Sequence, residues 1–596
     1  MKIQLYMEDW MITMGMVGLH RILGDDIELN PFGLSFETEI LKTLPGRFFD
    51  YMIKEYSVAE RDKRIMEDNL EYAKNEKYFK SRLQQIRKRM SDQLKKVEKY
   101  FGEEADELRN IVNKVKEIQK PDQYQILAEQ IHKYYNLMST EKIDGKLTTN
   151  YFKASIMSPF FGQVSFLNVV NNAKNKQEHI DLFYRDYVEP VLLEARFLEL
   201  LEKQMDVENI LDYLKNNNHY KPFKGILRDI KNKETIAEIK IYLQEEIPKC
   251  TLIDGWFATS NFEEMTFSPL ALSKKDALNF NWNLQKNQPV PLSSVAKLVL
   301  FLAPAGVVFY NRKDGFGSQG VNRQYSGFVM SNDPFPEIIK KNETYRIKKK
   351  NEDPFNIVVH DLLQDTRERA GKVTDTLLFI EVHSNYQSKK TLLDYYHMPN
   401  YLAYYFKQYG DEIGKIRSRE YREAFTRSAL KGIEPKSVVF HYLRSVIERN
   451  QDGYGGFIAA RELNRIQFLK RGVRNLQNED KKVYVIFKQG QEIRNKLIAE
   501  RESRAAKASG EYKAGGSKKV NAIAYRLLNA AKAGNEKSFM DTLFRIHMAA
   551  EKEVSPIFLN ALHEKDLKFE TVSNAFIAGL LSAGYKKDTE KGVANQ

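Results

Sequence analysis

The side chains best suited to chemistry are sparse. Asp375, Glu381, His383 and Asp394 surround an apolar stretch, 373–382, that has the composition of a strand. Carboxylates and a lysine at a strand end can hold a divalent metal and activate water, the arrangement of a restriction-type nuclease. Here His383 takes the lysine slot of the E-x-K pattern, so the set is incomplete, and the plainer reading is a strand ending in solvated polar residues. No phosphate-binding G-x-x-x-x-G-K-[ST], no H-E-x-x-H and no G-x-S-x-G is present. Gly410, Gly414 and Lys415 come nearest to the first, one residue short and with Ile416 in place of the hydroxyl that would bind magnesium.

Two basic segments suit nucleic acid better. In 311–324, glycines 315, 317 and 320 would let backbone amides approach phosphates, while Arg312, Lys313 and Arg323 neutralise them. Gln319, Asn322 and Gln324 offer paired donors and acceptors to base edges. The competing reading is a surface hairpin without function. The second segment, 481–519, holds 11 basic and 4 acidic residues, a charge of +7 in 39 residues. Its later part, 504–519, is rich in Ala, Gly, Ser and Lys and has the composition of a linker. Beyond it, Lys518, Lys519, Arg526, Lys532 and Arg545 could give a basic face to a helical bundle, or simply keep that face soluble.

These residues sit in a chain of 596 residues with a formal net charge of +13, 42% hydrophobic and 12% aromatic, ample for buried cores and incompatible with wholesale disorder. The single cysteine, Cys250, leaves no internal disulfide and no cysteine zinc cluster. The longest apolar run, 298–309, is too short for a bilayer and contains Pro304, and Glu8 and Asp9 interrupt any signal-peptide core. The expectation is a soluble cytoplasmic protein with no metal, cofactor or membrane partner.

The elements that must position the candidate residues are set by patterning. Residues 2–7 alternate like a strand, Asp9 is a helix N-cap, and 10–23 is a helix whose Gly15 and Gly18 permit close packing against a strand. Phe79, Leu83, Ile86, Met90, Leu94, Val97 and Phe101 form a heptad seam, resumed after Gly102 by Leu108, Ile111, Val115 and Ile118. The spacing predicts a protruding antiparallel helical hairpin over about 55–120, with Arg87, Lys88, Arg89, Lys95 and Lys96 on a solvated face. An aromatic-rich, loop-like subdomain is expected over 250–283, and the strongest buried strand at 294–310, with the Gly-rich loop after it to about 330. From 392 the chain turns helical. The fold class is α+β, predominantly helical: a mixed body over 1–490, then a basic linker and a four-helix bundle over 491–596.

Three stretches resemble one known family. The run from Asp9 to Leu23, D-W-M-I-T-M-G-M-V-G-L-H-R-I-L, resembles the opening of the large subunit of type I-B CRISPR Cascade in its Tneap-type branch. Asn279-Phe280-Asn281-Trp282-Asn283 resembles that family's N-F-x-W-N element. Ala296 to Gly306 resembles its K-L-x-L-F-x-A-P-A-G segment. The order agrees, and the resemblance spans most of the chain. Paired cysteines that many members carry before N-F-x-W-N are reduced here to Cys250, so a zinc ribbon is not expected. Trp256, Phe257 and Phe262 would stabilise that subdomain instead.

The resemblance implies a non-catalytic subunit of an RNA-guided complex that reads the motif flanking a DNA target, promotes duplex opening and R-loop formation, and recruits the helicase-nuclease. Implied partners are guide crRNA, double-stranded target DNA, the backbone and 5′-handle-binding subunits and small subunits. It likens the C-terminal bundle to a small subunit, which an internal start can produce separately in that family. With no methionine between Met398 and Met540, such a product would need another start, near Val483 or Val485.

Overall fold

The computed structural model describes residues 1–203, 206–263, 265–270, 290–316, 320–348, 377–385, 390–507, 515–563 and 567–583. The described fold is predominantly helical with small antiparallel sheets, the α+β class expected.

The first sheet joins β1 (Lys2–Tyr6), β2 (Glu28–Asn30) and β3 (Gly33–Glu37) in the order β1-β3-β2. Ile3 and Leu5 alternate inward and pair with Phe36 and Leu34. Helix α1 (Trp10–Leu23) starts where Asp9 caps it, its Oδ1 accepting from the amides of Met11 at 2.7 Å and Ile12 at 3.0 Å.

Of the apolar stretch expected to be a strand, 294–306 is instead two short helices, α2 (Ser294–Phe301) and α3 (Ala303–Gly306), while its end, Val308–Tyr310, does open a strand. Ser293 Oγ caps the first by accepting from the Ala296 amide, and Pro304 stands in the first turn of the second, where its missing N–H costs nothing. Every residue of α2 except Lys297 is buried, so no polar face marks a helical period. Gly15 and Gly18 therefore meet a helix pair rather than a strand. A Cβ on Gly15 would lie 2.1 Å from Val299 O, and one on Gly18 2.2 Å from Leu302 O.

The expected helical hairpin is part of a larger layer. Helices Val58–Ala73, Glu76–Val97, Glu103–Glu117, Tyr124–Met138 and Glu141–Phe152 share one core of their own. The heptad seam is buried from Phe79 to Val97, but it packs against neighbours on both sides as well as across Gly102. Two members of the basic run are structural. Arg87 donates to the carbonyls of Val115, Lys116 and Ile118 and so caps the helix ending at Glu117. Arg89 pairs with Asp62, which is 1% exposed and also accepts from Tyr135 Oη.

The second sheet is an antiparallel meander of β6 (Val308–Asp314), β7 (Val321–Ser331), β8 (Leu377–Asn385) and β9 (Lys390–His397), numbered after the two-residue strands β4 (Ser260–Asn261) and β5 (Pro291–Leu292). Of the expected strand over 373–382, residues 373–376 lie outside the described ones. In the aromatic region, Trp256, Phe262 and Phe267 are buried, and Phe267 meets Trp10 edge-on with centroids 5.9 Å apart. Cys250 is buried, and its Sγ accepts from the Ser293 amide at 3.3 Å. The N-F-x-W-N stretch, 279–283, is outside the described residues.

The boundary expected at 490/491 falls inside one continuous helix, Gln477–Lys507, and the expected linker is helical at its start; residues 508–514 are not described. A single hydrophobic core runs from Val308 to Leu581. Its innermost element is the helix Phe569–Leu581, buried at every position from Thr571 to Leu581 and packed on Tyr454–Lys470 and Gln477–Lys507. The last helices are thus integral to the C-terminal core rather than a separable bundle. Among the described residues, no helix is long and apolar enough to cross a membrane.

Candidate nucleic-acid interface

The segment expected as a Gly-rich loop is mostly β-ladder. Asn311 pairs with Gln324, Arg312 with Arg323, Lys313 with Asn322 and Asp314 with Val321. Alternation along the strands then separates the candidate residues by face. Arg312 turns into the sheet, where its side chain is only 8% exposed. It meets Glu381 Oε2 at 2.9 Å and Asp314 Oδ1 at 3.2 Å, and its guanidinium lies 4.0 Å from the ring centroid of Tyr325. Burial by itself would lower the Arg312 pKa, but Glu381 and the surrounding tyrosines outweigh it and hold the group above its ordinary value. Arg312 is therefore a structural cation, not a phosphate contact, which corrects the expectation for that residue.

Glu381 is fully buried and engaged on both oxygens. Tyr310 Oη donates to Oε1 at 2.5 Å and Tyr396 Oη to Oε2 at 2.6 Å. Asp394, directly opposite Glu381 across β8–β9, is held by Lys431 at 2.5 Å, and His383 Nδ1 donates to Gln324 O at 2.7 Å. The side chains suspected of metal chemistry are thus tied into ion pairs and hydrogen bonds, while Asp375 lies outside the described residues. No cluster of three or more metal-ligating side chains occurs among the described residues.

Of the remaining hairpin candidates, Arg323 is half-exposed and bonds Asp314 Oδ2 at 3.1 Å, Asn322 and Lys313 are exposed, and Gln324 is half-buried. The Lys313 side chain covers Gly320, where a Cβ would sit 2.3 Å from Lys313 Cε. Gln319 lies outside the described residues. The hairpin end is anchored rather than free, because Phe316 stacks on Tyr421 with centroids 4.8 Å apart and planes 8° apart, and on His441.

The C-terminal candidates stand differently. Lys518, Lys519 and Arg526 lie on the helix Gly515–Lys532, all exposed, and none makes an ion pair with a described residue. Lys519 and Arg526 are seven residues apart and so share one stripe, about 10 Å along the axis, with Lys518 on the adjoining flank. Lys532 and Arg545 are committed elsewhere: Lys532 lies 4.3 Å from the Phe440 ring centroid, and Arg545 pairs with Asp541 one turn away.

No family model, curated protein or solved structure matches the chain.

Sequence reasoning did not single out Arg21. Its side chain is 4% exposed, and Nη1 donates to Ala305 O at 2.7 Å and Val307 O at 3.1 Å, while Nε meets Glu343 at 2.5 Å. The signal was available in principle: a charged residue one step before Ile22 and Leu23, on a helix otherwise buried almost all round, needs a partner. Lys153, a second buried cation, carried no such signal, because nothing in its sequence neighbourhood separates it from the many exposed lysines.

Proposed function

We propose that the chain is the non-catalytic large subunit of an RNA-guided type I-B CRISPR surveillance complex in the cytoplasm. In this reading it recognises the motif flanking a DNA target, promotes duplex opening and recruits the helicase-nuclease. The observation that carries the reading is that two of the three resembling stretches form one unit. Gly15 and Gly18 of the D-W-…-G-x-x-G stretch receive the backbone of Val299 and Leu302, and Arg21 of the same stretch holds the carbonyls of Ala305 and Val307. Such contacts tie each stretch's residue types to the other, which supports reading them as one signature.

Lys518, Lys519 and Arg526 are the residues assigned to the nucleic-acid backbone, and the first two close a segment, 481–519, whose net charge is +7 by 11 basic against 4 acidic residues. Of the hairpin, Lys313, Asn322 and Arg323 keep an accessible position. The nuclease alternative loses its central carboxylate, since Glu381 is engaged by Arg312, Tyr310 and Tyr396.

The deciding experiment is co-expression of the full chain with guide crRNA and with the backbone, 5′-handle-binding and small subunits of a type I-B complex. The expected result is a complex containing the chain that binds target duplex in a manner dependent on the flanking motif. A complex that assembles and binds that duplex equally well without the chain overturns the proposal.

A further inference from the structure

A cleft of 380 Å³ opens between the π-helical turn Lys153–Met157 and strands β7 and β8. That size suits a small organic ligand, and π-helical turns inserted in helices recur at functional positions. One wall is apolar, with Phe160, Leu167 and Phe309; the other carries Gln324, His383 and Ser384. No aspartate or glutamate is among the described residues that line it.

Lys153 belongs to this cleft and is only 2% exposed. Buried ammonium groups are normally matched by a carboxylate. Here the hydrogen-bond partner is neutral: Nζ donates to Asn172 Oδ1 at 3.0 Å. Beside it, Asn150 Nδ2 and Oδ1 are both buried without a hydrogen-bond partner. An amide and an ammonium with unused donors, in a cleft without carboxylates, form a recognition surface for an anion. Burial, and then the nearby Lys146, lower the Lys153 amine to about 8, so it still carries its charge near neutral pH.

We propose that this cleft binds a phosphorylated nucleoside, with Lys153 and Asn150 on the phosphate and the Phe160–Phe309 wall against the base. The phosphate supplies the missing negative charge, and charge-assisted hydrogen bonds from an ammonium and an amide are the strong class. Phe160 and Phe309 meet edge-on with planes 74° apart, so this wall offers the base apolar contact rather than parallel stacking. The same chemistry is presented by a free mononucleotide and by one unit of a single strand. The assignment rests on the cleft alone and holds whether or not the chain joins an RNA-guided complex.

The test uses the full chain and three probes: inorganic phosphate, uridine monophosphate and a thymidine tetranucleotide, each followed by calorimetry and by thermal unfolding. The nucleotide or the tetranucleotide is expected to bind and to raise the melting temperature, and the tighter of the two names the source. Lys153→Met is expected to weaken that binding about tenfold or more. The same variant should melt above the wild type without ligand, which shows that it is folded. Silence from both nucleotide probes at millimolar concentration overturns the proposal. So does binding that survives Lys153→Met, or inorganic phosphate binding as tightly as the nucleotide.

Discussion

Gly18 and Gly306 press their backbones together across the α1–α3 contact. A Cβ on Gly18 would come within 3.0 Å of the Gly306 nitrogen, and one on Gly306 within 3.0 Å of the Gly18 nitrogen and 1.9 Å of Met14 O. Neither atom has room to move, because each belongs to a buried helix. Gly18→Ala and Gly306→Ala are each expected to cost about 3 kcal/mol in denaturant unfolding. Gly145→Ala, on the helix Glu141–Phe152 with open space around the new methyl, should instead gain about 0.5–1 kcal/mol. Equal losses at all three positions would refute the close approach.

The Arg312–Glu381 pair sets a second expectation. Glu381→Gln keeps the shape and one hydrogen-bonding oxygen but leaves the guanidinium of Arg312 buried with Asp314 as its one counter-charge among the described residues. A loss of about 3 kcal/mol in chemical denaturation is expected. A variant of unchanged stability would show that the pair is not the anchor of the sheet.

The basic stripe on the helix Gly515–Lys532 predicts a salt signature. Replacing Lys518, Lys519 and Arg526 together by alanine should weaken nucleic-acid binding at low salt and flatten the slope of log K against log salt by up to about 3. Melting temperature should barely change, since all three side chains are exposed. A slope identical to the wild type would place the backbone contacts elsewhere.

His179 gives a pH dependence. Its ring is 1% exposed, stacks on Phe49, and is lowered to about 3 by burial, then by Lys153 and Lys146, with Glu178 opposing them. Between its ordinary value of 6.5 and about 3, the unfolded chain takes up a proton that the folded chain refuses. Stability from this residue is therefore complete above 6.5 and is lost as pH falls toward 3. His179→Phe should lose less stability than the wild type between about pH 6.5 and 4, measured as the urea midpoint. A constant offset across that range would argue against a buried neutral imidazole.

Local signals were legible where they were periodic. Asp9 and the helix after it stand where the cap and the apolar spacing place them, as does the seam from Phe79 to Val97. Residues 294–306 were misleading because a segment apolar on every side has no period, so a buried helix and a buried strand look alike. In 311–324 the glycines at 315, 317 and 320 hid two strands whose polar residues belong to an edge hairpin. Above all, the charge of Arg312 says nothing about its exposure: its partner Glu381 lies 69 positions away, and the β6–β7 and β7–β8 pairings together bring them close. The cleft around Lys153 was illegible for the same reason, since its lining joins residues of 150–172 to strands β6, β7 and β8 far along the chain.

The helix Phe569–Leu581 sits at the centre of a core whose other walls are made earlier on the ribosome. Gly579 and Gly490 bring its backbone against the helix Gln477–Lys507, where a Cβ on Gly579 would lie 2.1 Å from Phe487 O. Until that helix emerges, Phe457, Val483, Phe487 and their neighbours face an unfilled slot. The C-terminal half thus cannot complete its core before residue 581 has emerged, and a nascent chain paused before residue 569 presents a large apolar surface to chaperones.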